Sequence, residues 1–313
     1  MADVAIIVPT LRRPASLERA LRSLFAQTRV GDRVTEIVVV DNDPAASAKS
    51  GVEALRSLAP WPLVYVHAPR PGVATARNAG LAATQAPFIA FLDDDEAASP
   101  EWLTALLAAQ KATGADVIFG PIAGRAPEAS AWLRPYLERF FGREGPAHSG
   151  LIDAPYGCGN SLMVRAAALP GVEPFSVVSD QTGGEDDVLF AALKARGGRF
   201  AWAADAWVEE FAPPHRATLT YALARAFAYG QGPSQTAAAA RDWLAVLRWM
   251  VIGAGQTVVW GTGAAVLTLI GSSRRAELYD RTARGVGKLF WMKGFEPRFY
   301  GARELARLEA VKA

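Results

Sequence analysis

The chain has 313 residues, 51% of them hydrophobic, a net charge of +2 and one cysteine. That length and apolar content can bury one large core plus an appendage, while a lone cysteine excludes an internal disulfide framework. Met1-Ala2-Asp3 leads straight into an apolar run, so no cleavable signal peptide is expected.

In chain order, Val4–Val8 leads into Pro9-Thr10, and Glu36–Val40 leads into Asp41-Asn42-Asp43. Both runs are short, β-branched and uninterrupted, the pattern of parallel strands buried on both faces. Between them Ser16 is a candidate cap for a helix with Leu17, Ala20, Leu21, Leu24 and Phe25 at helical spacing. The pattern then predicts a helix over 45–58, a strand over 63–67 and a helix over 75–84. A strand over 87–92, a helix over 101–113 and a strand over 116–120 follow. Alternation of this kind predicts an open α/β sheet, whose ligands lie outside the carboxyl ends of the strands.

Asp93-Asp94-Asp95-Glu96 follows the strand candidate ending Phe91-Leu92. Adjacent like charges repel, and they are explained at a strand end by a hard divalent cation shared with a phosphate. An acidic surface turn is the alternative for such a run taken alone.

Five segments carry a resemblance. Val8-Pro9-Thr10, Val40-Asp41-Asn42, Gly72–Gly80 (GVATARNAG), Phe91–Asp95 (FLDDD) and Gly183–Asp187 (GGEDD) resemble, in order and spacing, the family 2 glycosyltransferases. The second half is similar to bacterial exopolysaccharide glucosyltransferases of the succinoglycan type. It matches them in Val208–Arg216, Arg225-Ala226-Phe227, Gly230-Gln231 and Gly287-Lys288-Leu289. The likeness is weakest over 121–155 and 232–275. It implies a GT-A type nucleotide-diphospho-sugar transferase fold (a Rossmann-like open sheet) over 1–215, divided into a nucleotide-binding part (1–120) and an acceptor part (121–215). Residues 216–313 would be a basic, partly apolar, helical and membrane-associated region.

The same resemblance implies roles. Thr10 and Asp41 would sit beside the base and ribose of a UDP-sugar, although Asp41 taken alone reads first as a turn residue after a strand. Arg77 would be the cation near the nucleotide or its phosphates, because a guanidinium suits phosphate geometry; the alternative is a solvated arginine. Asn78 would brace its loop. The family's D-x-D falls on Asp93 and Asp95, with Asp93 reaching the ribose or a metal-bound water. Asp95 would bind Mn²⁺ or Mg²⁺ directly. Asp186 would be the general base that deprotonates the acceptor hydroxyl, with Glu185 orienting the acceptor or nearby backbone. Acidic residues also favour helix N-termini, which is the structural alternative for this cluster.

Asp187, Glu210 and Trp132 are further candidates for the acceptor site or its support. Glu210 reads equally as a salt-bridge partner of Arg216, and Trp132 with Tyr136, four apart on a helix candidate, reads equally as core. Gly157–Ser161 (GCGNS) would enter a strand beneath the sugar, with Cys158 a packing residue. Processive members carry Gln-x-x-Arg-Trp; here Ala245 stands at the glutamine position before Arg248-Trp249, so one sugar per encounter is expected.

Charge is unevenly spread. Residues 1–215 hold 19 Lys+Arg against 25 Asp+Glu, whereas residues 216–313 hold 14 against 6. Trp249–Ser273 is uncharged, and arginines bracket it. Three readings are open for this stretch: interfacial or re-entrant helices, a true span, or a buried helical subdomain. The expected partners are a nucleotide sugar, a polyprenyl-diphosphate-linked oligosaccharide and the anionic cytoplasmic face of the inner membrane, with no nucleic acid. Rival functions are a nucleotidyltransferase, for which Arg12-Arg13 is the only hint of a triphosphate loop, and a non-catalytic nucleotide-sugar binding protein.

Overall fold

A computed structural model describes residues 3–180 and 183–299. In chain order the elements are β1 Val4–Thr10, α1 Pro14–Phe25, β2 Val34–Asp41, α2 Lys49–Leu55, β3 Leu63–His67, α3 Val73–Ala82 and β4 Phe88–Phe91. Then come β5 Glu96–Ala98, α4 Trp102–Thr113, β6 Val117–Phe119, β7 Ile122–Arg125, α5 Arg134–Phe141, β8 Gly150–Ile152 and β9 Ser161–Val164. The last are α6 Arg165–Ala168, α7 Glu185–Ala195, β10 Phe200–Trp202, β11 Val208–Phe211, α8 Leu219–Ala239, α9 Trp243–Leu269 and α10 Arg275–Leu289.

The main sheet has eight strands in the order β3-β2-β1-β4-β9-β6-β10-β8. Strands β1 to β4 pair in parallel, as their uninterrupted apolar runs require. Strand β9 lies antiparallel between β4 and β6, so the sheet is mixed. A second sheet has the order β5-β11-β7. Apolar clusters cover both faces of the main sheet, one built on Ile6, Val39 and Trp102, the other on Ile7, Phe91 and Phe175. Helix α3 is seated against β1 at Gly80, where a Cβ would stand 2.6 Å from Ile7.

Local chemistry shifts several boundaries from those expected. Helix α1 begins at Pro14, whose fixed φ suits the first turn, so Ser16 lies inside the helix and does not cap it. Helix α2 begins only at Lys49. Its upstream residues are held in turns: Ala45 N–H donates to Asp43 (3.1 Å), Ala48 N–H donates to Asp41 (2.7 Å), and Ala46 has φ +54°. Helix α5 begins at Arg134, leaving Trp132 in the turn before it.

The chain divides into two compact units. One runs to Ala123 and resumes over Arg143–Phe211; the other comprises Gly124–Gly142 and Ala212–Arg298. In the second unit α10 packs along both α8 and α9. Glycines set these crossings: a Cβ on Gly230 would stand 2.3 Å from the Arg284 carbonyl, and one on Gly287 2.1 Å from that of Phe227. Gln231 donates to the Phe290 carbonyl (2.7 Å) and Ser234 to that of Lys288 (3.0 Å). Gly230-Gln231 and Gly287-Lys288 are therefore packing motifs.

Tyr136 is buried in this unit and donates to Asp280 (2.9 Å). A bond to a charged acceptor contributes about 1.5–3 kcal/mol. Tyr136→Phe is expected to lower the melting temperature by several degrees, read by circular dichroism, and an unchanged melting point would show the bond to be idle.

Helix α9 is a single unbroken helix of 27 residues, so the uncharged stretch is not a re-entrant pair. Among the described residues it is the one helix long and apolar enough to cross a membrane, and only 11% of its most apolar window is buried. The buried-subdomain reading therefore fails for most of its surface. The expected C-terminal region ran to 313; its residues 300–313 lie outside those described.

Candidate active site

Strands β1, β2 and β4 run parallel and in register, so their carboxyl ends bring Thr10, Asp41 and the acidic run to one edge of the first unit. Thr10 donates to Asp94 (2.7 Å), and Arg13 reaches both Asp94 (2.9 Å) and Asp95 (2.8 Å). Thr10 thus fixes the acidic loop. Asp41 is fully buried and accepts from Asp43 N–H, Ala48 N–H and the Tyr65 hydroxyl. Its carboxylate is thus engaged by its own turn and by β3. The hydroxyl of Tyr65 is pushed up to about 12, by burial first and then by that bond to Asp41.

Arg77 is not solvated. It is buried, its guanidinium pairs with Glu185, and it lies 3.5 Å from Asp93. Burial opposes its charge, yet the carboxylates of Glu185, Asp93 and Asp186 around it hold its pKa well above the ordinary value. Arg77 therefore ties the acidic run to the first turn of α7. The next residue, Asn78, braces the loop as expected, exchanging two hydrogen bonds with the Phe175 backbone (2.8 and 3.1 Å).

The second carboxylate cluster opens α7. Gly183 and Gly184 have φ of +82° and +85°, a left-handed turn that favours glycine, and Glu185, Asp186 and Asp187 fill the first helical turn. Glu185 is buried, Asp186 half-buried and Asp187 exposed. Asp186 accepts from the N–H of Cys158 (2.8 Å) and of Asp187 (3.0 Å).

One loop joins the two clusters. A Cβ at Gly157 would lie 3.4 Å from Asp186, and one at Gly159 only 2.7 Å from Asp93 and 3.2 Å from Glu96. Gly157-Cys158-Gly159 therefore runs between Asp186 on one side and Asp93 on the other; at Gly159 a Cβ would crowd the Asp93 carboxylate, whereas at Gly157 it would make only ordinary contact. Arg143 holds the loop through the carbonyls of Gly157 (3.1 Å) and Gly159 (2.8 Å). Burial pushes the Cys158 thiol up, which opposes a thiolate and agrees with a packing role. The loop enters β9, as expected.

Carboxylates outnumber guanidiniums here. Glu96, 2% exposed, is pushed well above the usual range by burial and then by Asp93 and by Glu210, its cross-strand partner on β11. Burial also raises Asp94, with Arg13 opposing it and Asp95 reinforcing it. Burial raises Glu185 against the pull of Arg77. Trp132 belongs to the second unit, where the Arg275 guanidinium lies 3.9 Å from its ring centre.

Among the described residues no group of three or more His, Cys, Asp or Glu side chains converges as a preformed metal cage. The residues nevertheless fit a hard cation. Asp93 keeps 38% of its side chain exposed, Asp95 is tied to Arg13 through Oδ2, and the surplus of carboxylate oxygen suits Mg²⁺ or Mn²⁺.

Arg143 and Asp180 did not stand out in the sequence as site residues, and Arg13 did so only as part of a supposed triphosphate loop. Asp180 accepts from the Thr75 N–H (3.0 Å) and hydroxyl (2.7 Å), capping the start of α3. Gly72 is required beside it, since a Cβ there would stand 2.1 Å from the carboxylate carbon. Arg12 pairs with Asp43 (3.0 Å) and Arg13 with the acidic run, so both arginines of the supposed triphosphate loop are engaged by carboxylates.

A mixed sheet with two acidic clusters at its carboxyl edge defines a nucleotide-sugar transferase fold of the GT-A type, and residues 5–170 match the model of glycosyl transferase family 2. The chain belongs to that family. It is 35% identical over 311 residues to the succinoglycan biosynthesis protein ExoM of Rhizobium meliloti (strain 1021), covering 96% of this chain and 97% of that one. The mannosyltransferase PcManGT of Pyrobaculum calidifontis, solved with GDP-Man and Mn²⁺, shares the fold with a TM-score of 0.61. It is 17% identical, and the match covers 93% of this chain and 87% of that one. S. aureus TarS 1-349, solved with UDP-GlcNAc, gives a TM-score of 0.52 at 18% identity over 67% of this chain and 58% of that one.

Proposed function

We propose that the protein is an inverting, non-processive, metal-dependent hexosyltransferase of exopolysaccharide biosynthesis. It moves one sugar from a UDP-sugar to a polyprenyl-diphosphate-linked oligosaccharide at the cytoplasmic face of the membrane. The observation that carries the reading is the Gly157–Gly159 loop, which lies against Asp186 through the Cys158 N–H and against Asp93 at Gly159. The likeness to ExoM along nearly the whole chain supports the pathway.

In this reading Asp186 takes the proton of the acceptor hydroxyl as its oxygen attacks the anomeric carbon from the face opposite the departing diphosphate. Glu185, paired with Arg77, sets the angle of the first turn that carries Asp186. Thr10 and Arg13 orient the acidic loop, and Asp93 and Asp95 would hold the cation. When bound, Mn²⁺ or Mg²⁺ offsets the charge developing on the leaving diphosphate. Asp187 and Glu210 line the approach of the acceptor.

Thermal-shift measurements with a panel of nucleotide sugars, with and without Mn²⁺, test the donor. A metal-dependent rise with one UDP-sugar is expected. No response to any nucleotide sugar, together with pyrophosphate release from a nucleoside triphosphate, would favour a nucleotidyltransferase. Asp95→Ala is expected to abolish the metal-dependent part of UDP affinity while the fold persists. Undiminished metal-stimulated affinity by calorimetry would remove Asp95 from the metal site.

A further inference from the structure

The helical hairpin of α9 and α10 carries its charges in a place that decides how it meets a membrane. Along the outward face of α9 lie Leu244, Leu247, Val251, Val258, Val266 and Leu269, each more than half exposed. Their spacing of three, four, seven and eight residues keeps them on one side of the helix, over roughly 37 Å at 1.5 Å per residue. The opposite side, at Val246, Gly253 and Ala264, is buried.

That opposite side is taken by α10, running antiparallel. A Cβ on Gly253 would stand 2.6 Å from the Gly285 carbonyl and 2.7 Å from the Lys288 side chain. Gly261 faces Thr282, Gly263 faces Leu278, and Thr268 bonds to the Tyr279 hydroxyl (2.8 Å). The whole uncharged middle of α9 is thus in contact with the stretch of α10 that carries Asp280, Arg281, Arg284 and Lys288. Arg281 is exposed and lies 4.6 Å from the ring centre of Trp260, about two-thirds of the way along α9. Asp280 and Arg284 pair with each other (2.7 Å), and Glu277 pairs with Arg139 of α5.

If α9 crossed the bilayer with this packing, those charges would be drawn to the level of the hydrocarbon midplane, where ionised side chains are expensive and rare. The geometry points instead to α9 lying flat in the headgroup boundary of an anionic leaflet. Its apolar stripe faces the acyl chains, and α10 stays on the water side as the spacer that keeps the other helices out of the lipid. This inference rests on the membrane reading proposed above and commits it to an in-plane, one-leaflet mode. Charge placement supports the anionic partner. Arg241 precedes α9, Asp242 caps it and Arg248 lies in its second turn, while Arg274 and Arg275 follow its other end. Arginines at both ends give a spanning helix no preferred orientation, but both sets reach the same headgroups when the helix lies flat.

The test uses the full chain with sealed phosphatidylcholine vesicles containing phosphatidylglycerol. Cys158 is buried, so a membrane-impermeant maleimide reports on an added cysteine. Ala240→Cys and Ser273→Cys place exposed probes just beyond the two ends of α9. Both are expected to react fully from outside intact vesicles, with no gain on adding detergent. Protection of one end until detergent is added would mean that α9 spans the bilayer and would overturn the in-plane mode while leaving the membrane role intact. Failure of the protein to pellet with vesicles at low salt would overturn both. Val251→Asp with Val258→Asp should weaken vesicle affinity by about tenfold or more. Circular dichroism and the donor-induced thermal shift should be unchanged. A lipid-free dimer that these substitutions dissociate, with vesicle affinity unaltered, would assign the stripe to a second copy of the chain and overturn the proposal.

Discussion

Asp186→Asn is expected to lower turnover by roughly 10²- to 10⁴-fold while the affinity for the donor persists. The asparagine carbonyl still accepts from the Cys158 N–H, so the loop that Asp186 touches keeps its place. What disappears is the group that takes the acceptor proton. A single-turnover assay beside a donor-binding isotherm separates the two effects. Near-normal turnover would move the base to another carboxylate, with Asp187, one residue on and exposed, the first to test. A joint loss of turnover and donor affinity would instead make Asp186 a donor-site residue.

Arg77→Ala should produce the largest loss of stability in the first unit. Glu185 is 3% exposed and its pair with Arg77 is buried, so the variant leaves an acid in the interior without its counter-ion. Breaking one side of a buried pair costs about 3–5 kcal/mol, much of it the penalty on the partner left behind. Glu185→Gln in the same chain removes that penalty, so the double variant should recover most of the loss. Denaturant melts of the single and double variants complete the cycle. A loss under about 1 kcal/mol, or no recovery, would mean that the pair does not anchor α7.

The parallel half of the fold was legible because burial on both faces leaves an uninterrupted apolar run, as in Val4–Val8 and Glu36–Val40. Strand β3 was readable to the residue over Leu63–His67. Polar competition blurred the rest. The turns that delay α2 to Lys49 depend on the carboxylates of Asp41 and Asp43, whose reach over two to seven residues no periodicity reveals. Pro14 displaced the start of α1 from the serine that looked like a cap.

The same division holds for the site. The acidic run and the Glu185–Asp187 turn stood out because like charges in sequence demand an explanation. Arg143 did not, and Arg13 was visible only as a hint of a triphosphate loop, because their partners, the Gly159 carbonyl and Asp95, lie 16 and 82 residues away and contacts of that span leave no local pattern. Gly159 was visible as a glycine, but the reason for it, the Asp93 carboxylate 2.7 Å from the missing Cβ, is a property of the folded chain alone. The glycines of α9 diluted its apolar pattern in the sequence; in the fold Gly253 makes room for α10.

The central claim is that the carboxylate site passes one sugar to an acceptor hydroxyl in a single displacement. Proton NMR of the anomeric signal tests it most directly. The UDP-α-sugar that gives the metal-dependent thermal shift would be incubated with the protein, Mn²⁺ and lipid-linked oligosaccharide extracted from exopolysaccharide-producing cells. The account predicts a β-linked product carrying one added sugar, with UDP released in equal amount and no product from Asp186→Asn. An α-linked product, a run of several added sugars, or undiminished product from Asp186→Asn would contradict it.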